Sequence, residues 1–152
     1  MIASLPPEWA TFQFKLDTAT PSVNEIRSMH YQAYRKLRHS YQTLVWAGLV
    51  GAGQRLPATP LQQVGLYVER GSAGFLDWDN AYGGLKPLLD CLVTQTTRNP
   101  DGLGLIQDDS PRHMPEPPYL RQVVAPRNKG FTVVRIFDLT APHIATRLAQ
   151  QP

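Results

Sequence analysis

The stretch Leu61-Gln-Gln-Val64-Gly-Leu66-Tyr-Val68-Glu-Arg-Gly71 is the segment from which the fold can be predicted. Val64, Leu66 and Val68 stand at every second position, and alternate residues of an extended chain point to the same face. The pattern therefore predicts a strand over residues 61–71 that lies at the centre of a sheet.

Upstream of this strand, the sequence predicts a first strand and a long helix. Residues 11–16 alternate apolar and polar side chains, which is typical of a strand. Ser22 and Glu25 are spaced as in a capping box, in which the serine accepts from a backbone N–H three residues on and the glutamate reaches back. Apolar residues then recur at helical spacing and predict one helix over residues 22–47. Residues 48–60, rich in Gly, Pro and Ala, are the predicted loop that ends it.

Downstream of the central strand, the sequence predicts a second helix, a hairpin and a last helix. Leucines at i, i+3, i+4 and i+7 predict a helix over residues 85–96. Residues 121–125 and 131–139 flank a tight turn at 128–130, so we expect them to pair as a hairpin. Thr140 can cap a last short helix over residues 140–150.

Length and composition favour one domain, residues 1–152. A chain of 152 residues with 42% hydrophobic content can bury one core. Together the elements predict an α+β fold with a small mixed β-sheet and flanking helices, in the order β-α-β-α-β-β-α. No apolar run approaches the roughly 18 residues of a membrane span, and the N-terminus does not resemble a signal peptide. We therefore expect a cytoplasmic protein, in which the one cysteine, Cys91, is a buried core residue.

A group of carboxylates and one lysine follows the predicted central strand. These residues are Asp77, Asp79, Lys86, Asp90, Asp108 and Asp109. If Asp77 and Asp79 lie on an extended segment, their spacing of two puts both carboxylates on one side. Magnesium is usually held by one or two carboxylates together with substrate phosphate oxygens. Lys86 and Asp90, four residues apart, are expected to share one face of the second helix.

Each of these acidic pairs also has a purely structural interpretation. Asp79 and Asn80 are good N-cap residues, and Asp108-Asp109 before Ser-Pro is typical of a turn. Trp78, between two aspartates, would point to the opposite side and pack in the core. The joint occurrence of the pairs, rather than any one of them, favours a catalytic site.

The charge pattern gives weak support to a nucleic-acid partner. The net charge is only +3, but basic residues gather in the first helix and near the C-terminus. The candidate DNA-binding residues are Asn24, Arg27, Arg35, Lys36, Arg38 and Lys129. For any one of the basic residues, a solvated surface is an equally good interpretation. The tyrosines of the first helix could stack on exposed bases, although helical spacing favours core packing for Tyr34 and Tyr41.

The combination of motifs resembles the RusA-type Holliday junction resolvases, which are small homodimeric endonucleases of phages and prophage-bearing bacteria. The resemblance rests on four segments in order along most of the chain: Pro21-Ser22-Val23-Asn24, Asp77-Trp78-Asp79-Asn80, Lys86 with Asp90-Cys91-Leu92, and Ile106-Gln107-Asp108-Asp109. Members of this family cleave four-way DNA junctions symmetrically, with magnesium held by aspartates of these motifs.

The resemblance implies a role for each acidic residue. By this likeness Asp77, Asp79 and Asp109 are metal-binding catalytic residues and Lys86 is the essential lysine. Asp90, Asp108 and Asn80 are supporting residues in the same sense. The resemblance further implies Mg²⁺ as cofactor, a four-way junction or related branched DNA as partner, and a homodimer in the cytoplasm of a bacterial or phage-infected cell.

Two segments depart from the family pattern. Residues 81–85 make the step between Asn80 and Lys86 longer than usual, and residues 94–104 form a longer loop. That loop either adds a DNA contact through Arg98 or is a surface excursion, since insertions in loops cost little. Two alternatives stay open: a catalytically inactive branched-DNA-binding protein of the same fold, and a nuclease for flap or fork DNA.

Overall fold

The segment from which the sequence predicts a central strand is indeed an inner strand in the computed structural model, which describes residues 1–150. Short 3-10 helices at Ile2–Ser4 and Pro7–Trp9 precede the main elements. These are β1 (Phe12–Leu16), α1 (Val23–Arg27), α2 (Tyr31–Gly51), β2 (Val64–Ser72), α3 (Trp78–Gly83), α4 (Lys86–Leu92), β3 (Tyr119–Val124), β4 (Phe131–Asp138) and α5 (Pro142–Ala149). The predicted α+β fold, with a small mixed sheet and flanking helices, is confirmed.

The sheet has four strands in the order β1-β4-β2-β3. Strand β4 lies antiparallel to both β1 and β2, whereas β3 lies parallel to β2. The predicted hairpin is therefore wrong, because β2 lies between the two strands that the hairpin would have paired. The tight turn itself is present: Asn128 has a φ of 65°, and Lys129 N–H donates to the Pro126 carbonyl. A local turn signal cannot show that a third strand separates the two segments that it joins.

The predicted first helix is divided in two. The capping box is present, since Ser22 Oγ accepts from the Glu25 N–H and Glu25 Oε2 accepts from the Ser22 N–H, each at 3.1 Å. Helix α1 ends at Arg27, however, and α2 begins at Tyr31 and extends through Gly51 rather than 47. A Cβ at Gly48 would lie 2.8 Å from the carbonyl oxygen of Lys15. Glycine there lets α2 continue while it crosses close to β1.

The second and last predicted helices are also shorter than expected. Helix α4 ends at Leu92, where Val93 turns to an extended conformation, and a separate helix α3 precedes it. Helix α5 begins at Pro142 with Ala141 as its N-cap residue. Thr140 instead donates from its hydroxyl to Asp138 at 2.6 Å. Short polar side chains often bond to nearby groups outside a helix, so they mark its start only approximately.

Both faces of the sheet are covered. Val64, Leu66 and Val68 are buried in the larger core, together with the apolar faces of α2 and α4. A smaller cluster on the other face includes Tyr67 and Ile144 of α5. No helix among residues 1–150 is long and apolar enough to cross a membrane.

Candidate functional site

Asp77 and Asp79 lie at the start of a helix rather than on an extended segment. Asp77 is the N-cap residue of α3, and its Oδ1 accepts from the Asn80 N–H at 3.0 Å. Asp79 lies in the first turn of α3. Residues two apart on a helix do not face each other. The prediction that both carboxylates lie on one side, which required an extended segment, is therefore wrong. Aspartate is among the strongest N-cap residues, which explains the local structure.

Trp78 does not pack in the core. Its side chain is 58% exposed, and its ring lies 6.2 Å from that of Tyr82 on the next turn of α3. Phe75, just before the helix, is also exposed. The prediction of a core position assumed a strand, in which Trp78 and the aspartates would point to opposite faces. The helix instead leaves an aromatic surface beside the aspartates.

The longer step between Asn80 and Lys86 packs against the start of α1. A Cβ at Gly84 would lie 1.7 Å from the Pro21 carbonyl oxygen, and a Cβ at Gly83 would lie 2.5 Å from the Val23 Cβ. Only glycine permits this approach. The two glycines therefore bring together two of the segments on which the family resemblance rests. Asn24, predicted to bind DNA, is exposed near this contact.

Lys86 and Asp90 share one face of α4, as their spacing predicts. Lys86 Nζ lies 3.1 Å from Asp90 Oδ1. The other carboxylate oxygen of Asp90, Oδ2, accepts from the Tyr34 hydroxyl of α2 at 2.6 Å. The Asp90 carbonyl accepts from Asn99 Nδ2 at 2.6 Å. The carboxylate is thus fixed by two elements that are distant in sequence.

Asp108 and Asp109 follow a short extended piece, as predicted. Ile106 is buried and forms a parallel bridge with Leu61. Asp108 Oδ1 accepts from the Asp109 N–H at 2.9 Å, which is the turn geometry of the structural interpretation. Both carboxylates remain exposed to solvent.

The pKa values of the two carboxyl groups of this pair are shifted in opposite directions. Desolvation, together with a hydrogen bond and the negative charge of Asp108, raises the pKa of Asp109 above its ordinary value. The positive charge of Lys86 acts in the opposite direction on Asp109. Desolvation also acts to raise the pKa of Asp108, but hydrogen bonds from Ser110 and Asp109 outweigh it, so that this pKa is lowered. The 106–109 segment lies against the end of the helix that carries Lys86, because the Ile106 N–H donates to the Leu92 carbonyl at 3.0 Å.

The described residues do not form a complete metal centre. Nowhere in residues 1–150 do three or more His, Cys, Asp or Glu side chains lie together in a group that could hold a metal ion. Asp77, Asp79 and Asp109 are thus not gathered as a three-carboxylate site. All three offer the oxygen ligands that magnesium prefers, but a bound ion would need further ligands from substrate or solvent.

Of the residues predicted to bind DNA, Arg38 is the one that is buried. It is only 6% exposed, and its Nε lies 2.7 Å from Asp101 Oδ2, so its guanidinium does not face solvent. His39 Nδ1 lies 3.0 Å from the other oxygen of Asp101. This contact pins the longer loop, residues 94–104, to α2, so the loop is anchored rather than a free excursion. The run of basic residues in the sequence predicts a DNA contact for Arg38. Such a run cannot show that Arg38 has an acidic partner far along the chain.

The remaining candidates for DNA binding are exposed. This group consists of Asn24, Arg27, Arg35, Lys36 and Lys129. Arg35, Lys36 and His39 line one side of a groove of about 710 Å³ between α2 and the loop at Pro100 and Asp101. The charge of Asp101 is balanced by Arg38, whereas Arg35 and Lys36 are exposed cationic side chains on the open side of this groove.

Tyr34 and Asp101 are the functional-site neighbours that sequence reasoning missed. Tyr34 was interpreted as a core or stacking residue, but its hydroxyl holds Asp90. A buried tyrosine hydroxyl usually has a polar partner, so the predicted core position of Tyr34 already implied such a partner. Asp101 carried no such signal, since it lies in a polar loop with Gly and Pro.

No protein-family model matches the chain, and no curated protein matches it either.

Proposed function

We propose that this protein is a magnesium-dependent endonuclease that hydrolyses phosphodiester bonds in branched DNA such as a four-way junction. The observation that carries the proposal is the Lys86–Asp90 ion pair on α4, at 3.1 Å, with the 106–109 segment held against the end of that helix by the hydrogen bond from the Ile106 N–H to the Leu92 carbonyl. Carboxyl groups with shifted pKa values, such as Asp108 and Asp109, are frequent at catalytic sites. The order of the four motifs along the chain adds to this support.

In this proposal each residue of the site has a defined task. Lys86, fixed at one end by Asp90, contacts the phosphate and stabilises the charge that grows on it in the transition state. Asp77, Asp79 and Asp109 would each offer a carboxylate to magnesium, with the remaining ligands coming from substrate or solvent, and Asp108 and Asn80 orient the turn and the helix that carry them. The chemistry that a magnesium ion held there would supply is activation of a water and neutralisation of the charge on the leaving oxygen.

The proposed partner is DNA, and the proposed assembly is a homodimer. Arg35 and Lys36 on the open side of the α2 groove can contact phosphates, and Lys129 lies on an exposed turn. A four-way junction presents two equivalent strands, so paired cuts require two active sites related by a two-fold axis.

A cleavage assay on a synthetic four-way junction tests the proposal. We expect Mg²⁺-dependent cutting by the wild-type protein, and a loss of at least about a hundredfold in Asp77→Asn and Asp109→Asn. Asp17→Asn, at an exposed aspartate in the bend after β1, is the matched control and should cut normally. Full activity in either site variant would contradict the proposal.

A DNA-binding protein that does not cut is the second candidate. It is favoured by the roles of Asp77 as a helix cap and Asp108 as a turn residue, and by the lack of a three-ligand group in residues 1–150. Binding to junctions with a steep salt dependence, without cutting in any divalent metal, would support this candidate.

A further inference from the structure

The two carboxylate oxygens of Asp90 have different partners, Tyr34 and Lys86. Tyr34 donates to Oδ2 at 2.6 Å, and Lys86 contacts Oδ1 at 3.1 Å. The terminal torsion of an aspartate is broad, so a carboxylate with one partner can rotate. The tyrosine bond removes that freedom and leaves one oxygen directed to the lysine.

The side chains of Asp90 and Lys86 differ in exposure, which indicates which of the two positions the other. The Asp90 side chain is 16% exposed, whereas that of Lys86 is 63% exposed. A long exposed lysine has many rotamers, and ordering it costs conformational entropy. The largely buried Asp90 carboxylate therefore determines the position of the exposed Lys86 ammonium.

The position of Tyr34 is itself well determined. It extends from the long helix α2, and its ring is flanked by the Arg38 guanidinium at 6.0 Å. Burial, together with the hydrogen bond to Asp90, raises the pKa of Tyr34, so its hydroxyl stays a donor at neutral pH. The backbone of Asp90 is held independently, because its carbonyl accepts from Asn99.

We propose that Tyr34 is a positioning residue that, through Asp90, fixes the position of the Lys86 ammonium. The meaning of this for cleavage rests on the proposed function. The arrangement of the three side chains does not, so it can be tested without an activity.

The first test measures the reactivity of the Lys86 amine. Limited acetylation with a water-soluble ester, read by mass spectrometry against the exposed Lys36 and Lys129, reports how firmly Lys86 is held. Tyr34→Phe should raise the relative labelling of Lys86 by roughly fivefold, since a hydrogen bond to a charged group is lost. Asp90→Asn gives the value for complete loss of the ion pair.

Matched controls separate positioning from a general loosening of the fold. Tyr31→Phe changes an exposed tyrosine of the same helix and should leave labelling of Lys86 unchanged. Thermal unfolding of Tyr34→Phe checks that the fold is kept. Asp90→Asn alters the acceptor of the Tyr34–Asp90 hydrogen bond, whereas Tyr34→Phe removes its donor. Unchanged labelling in a folded Tyr34→Phe protein would overturn the proposal.

The second test is a double-mutant cycle on junction cleavage. Tyr34→Phe should lower kcat by about fivefold to tenfold with little change in KM, and should have no further effect in a Lys86→Met background. An undiminished effect in that background would overturn the positioning role, because Tyr34 would then act by another route. A wild-type protein that cuts no junction would refute the proposed function, while the labelling result would still decide the role of Tyr34.

Discussion

Asp101 accepts a hydrogen bond from the buried guanidinium of Arg38 at 2.7 Å, and this ion pair joins a loop to the middle of the longest helix. Both side chains are buried, so water cannot take the place of either charged partner at low cost. The same loop supplies Asn99, which holds the Asp90 carbonyl. The loop thus supports the candidate site from behind.

Removing the Asp101 charge should destabilise the protein strongly. Asp101→Asn leaves Arg38 as an unpaired buried cation, and breaking such a pair costs about 3–5 kcal/mol. We expect the midpoint of urea unfolding to fall with an unchanged slope. Amide hydrogen exchange in residues 94–104 should also become faster. Asp17→Asn, at an exposed position, should stay within about 0.5 kcal/mol of wild type, and an equal loss in both variants would contradict the role of the pair.

The same pair should make stability depend on acid. Desolvation acts to raise the pKa of Asp101, but hydrogen bonds and the charges of Arg38 and His39 outweigh it and hold this pKa below the ordinary 3.8. A group with a lowered folded-state pKa stabilises the fold above its unfolded value and loses that contribution as pH falls through the folded value. Stability of the wild type should therefore decline from about pH 4 downwards.

The acid dependence is measured by urea unfolding at a series of pH values. The difference in free energy of unfolding between wild type and Asp101→Asn should be constant above pH 5 and shrink below pH 4. A difference that stays constant down to pH 2 would show that Asp101 does not titrate with a lowered pKa.

The local elements of the fold could be predicted from sequence because their causes lie within a few residues. The capping box of Ser22, the alternation of Val64, Leu66 and Val68, and the spacing of Lys86 and Asp90 are each confirmed. Each depends on the period of a helix or strand, which the sequence displays directly.

The arrangement between elements could not be predicted, because its causes are distant in sequence. Strand β2 lies between β3 and β4, although a tight turn joins those two strands. Tyr34 and Asp101 find their partners across the fold, where no local pattern indicates them. Asp77 fits both a helix cap and a metal ligand, so sequence alone does not separate these two interpretations of the same residue.

Gly84→Ala should disturb the packing of α3 against the start of α1. The new Cβ would lie 1.7 Å from the Pro21 carbonyl oxygen, which belongs to the backbone, so one segment must move. Overpacking of this kind costs typically about 1–3 kcal/mol. Gly51→Ala is the control, because a Cβ there meets nothing within 4 Å and alanine favours a helix.

Thermal unfolding of the two glycine variants provides the measurement. Gly84→Ala should unfold at a lower temperature than wild type, and Gly51→Ala at the same or a slightly higher temperature. If Gly84→Ala were as stable as wild type, the close contact between Gly84 and Pro21 would not exist in solution.

The titration of Asp109 should respond in opposite directions to the loss of its two charged neighbours. Its pKa is raised by desolvation and by Asp108, and the positive charge of Lys86 opposes this shift. Lys86→Met should therefore raise the pKa of Asp109 further, and Asp108→Asn should lower it towards 3.8. Carboxyl carbon chemical shifts, followed against pH by NMR, measure both changes without any cleavage activity. Lys129→Met, on the exposed turn before β4, is the control for a general loss of positive charge. An Asp109 titration that is the same in wild type and Lys86→Met would contradict an electrostatic interaction between these two residues.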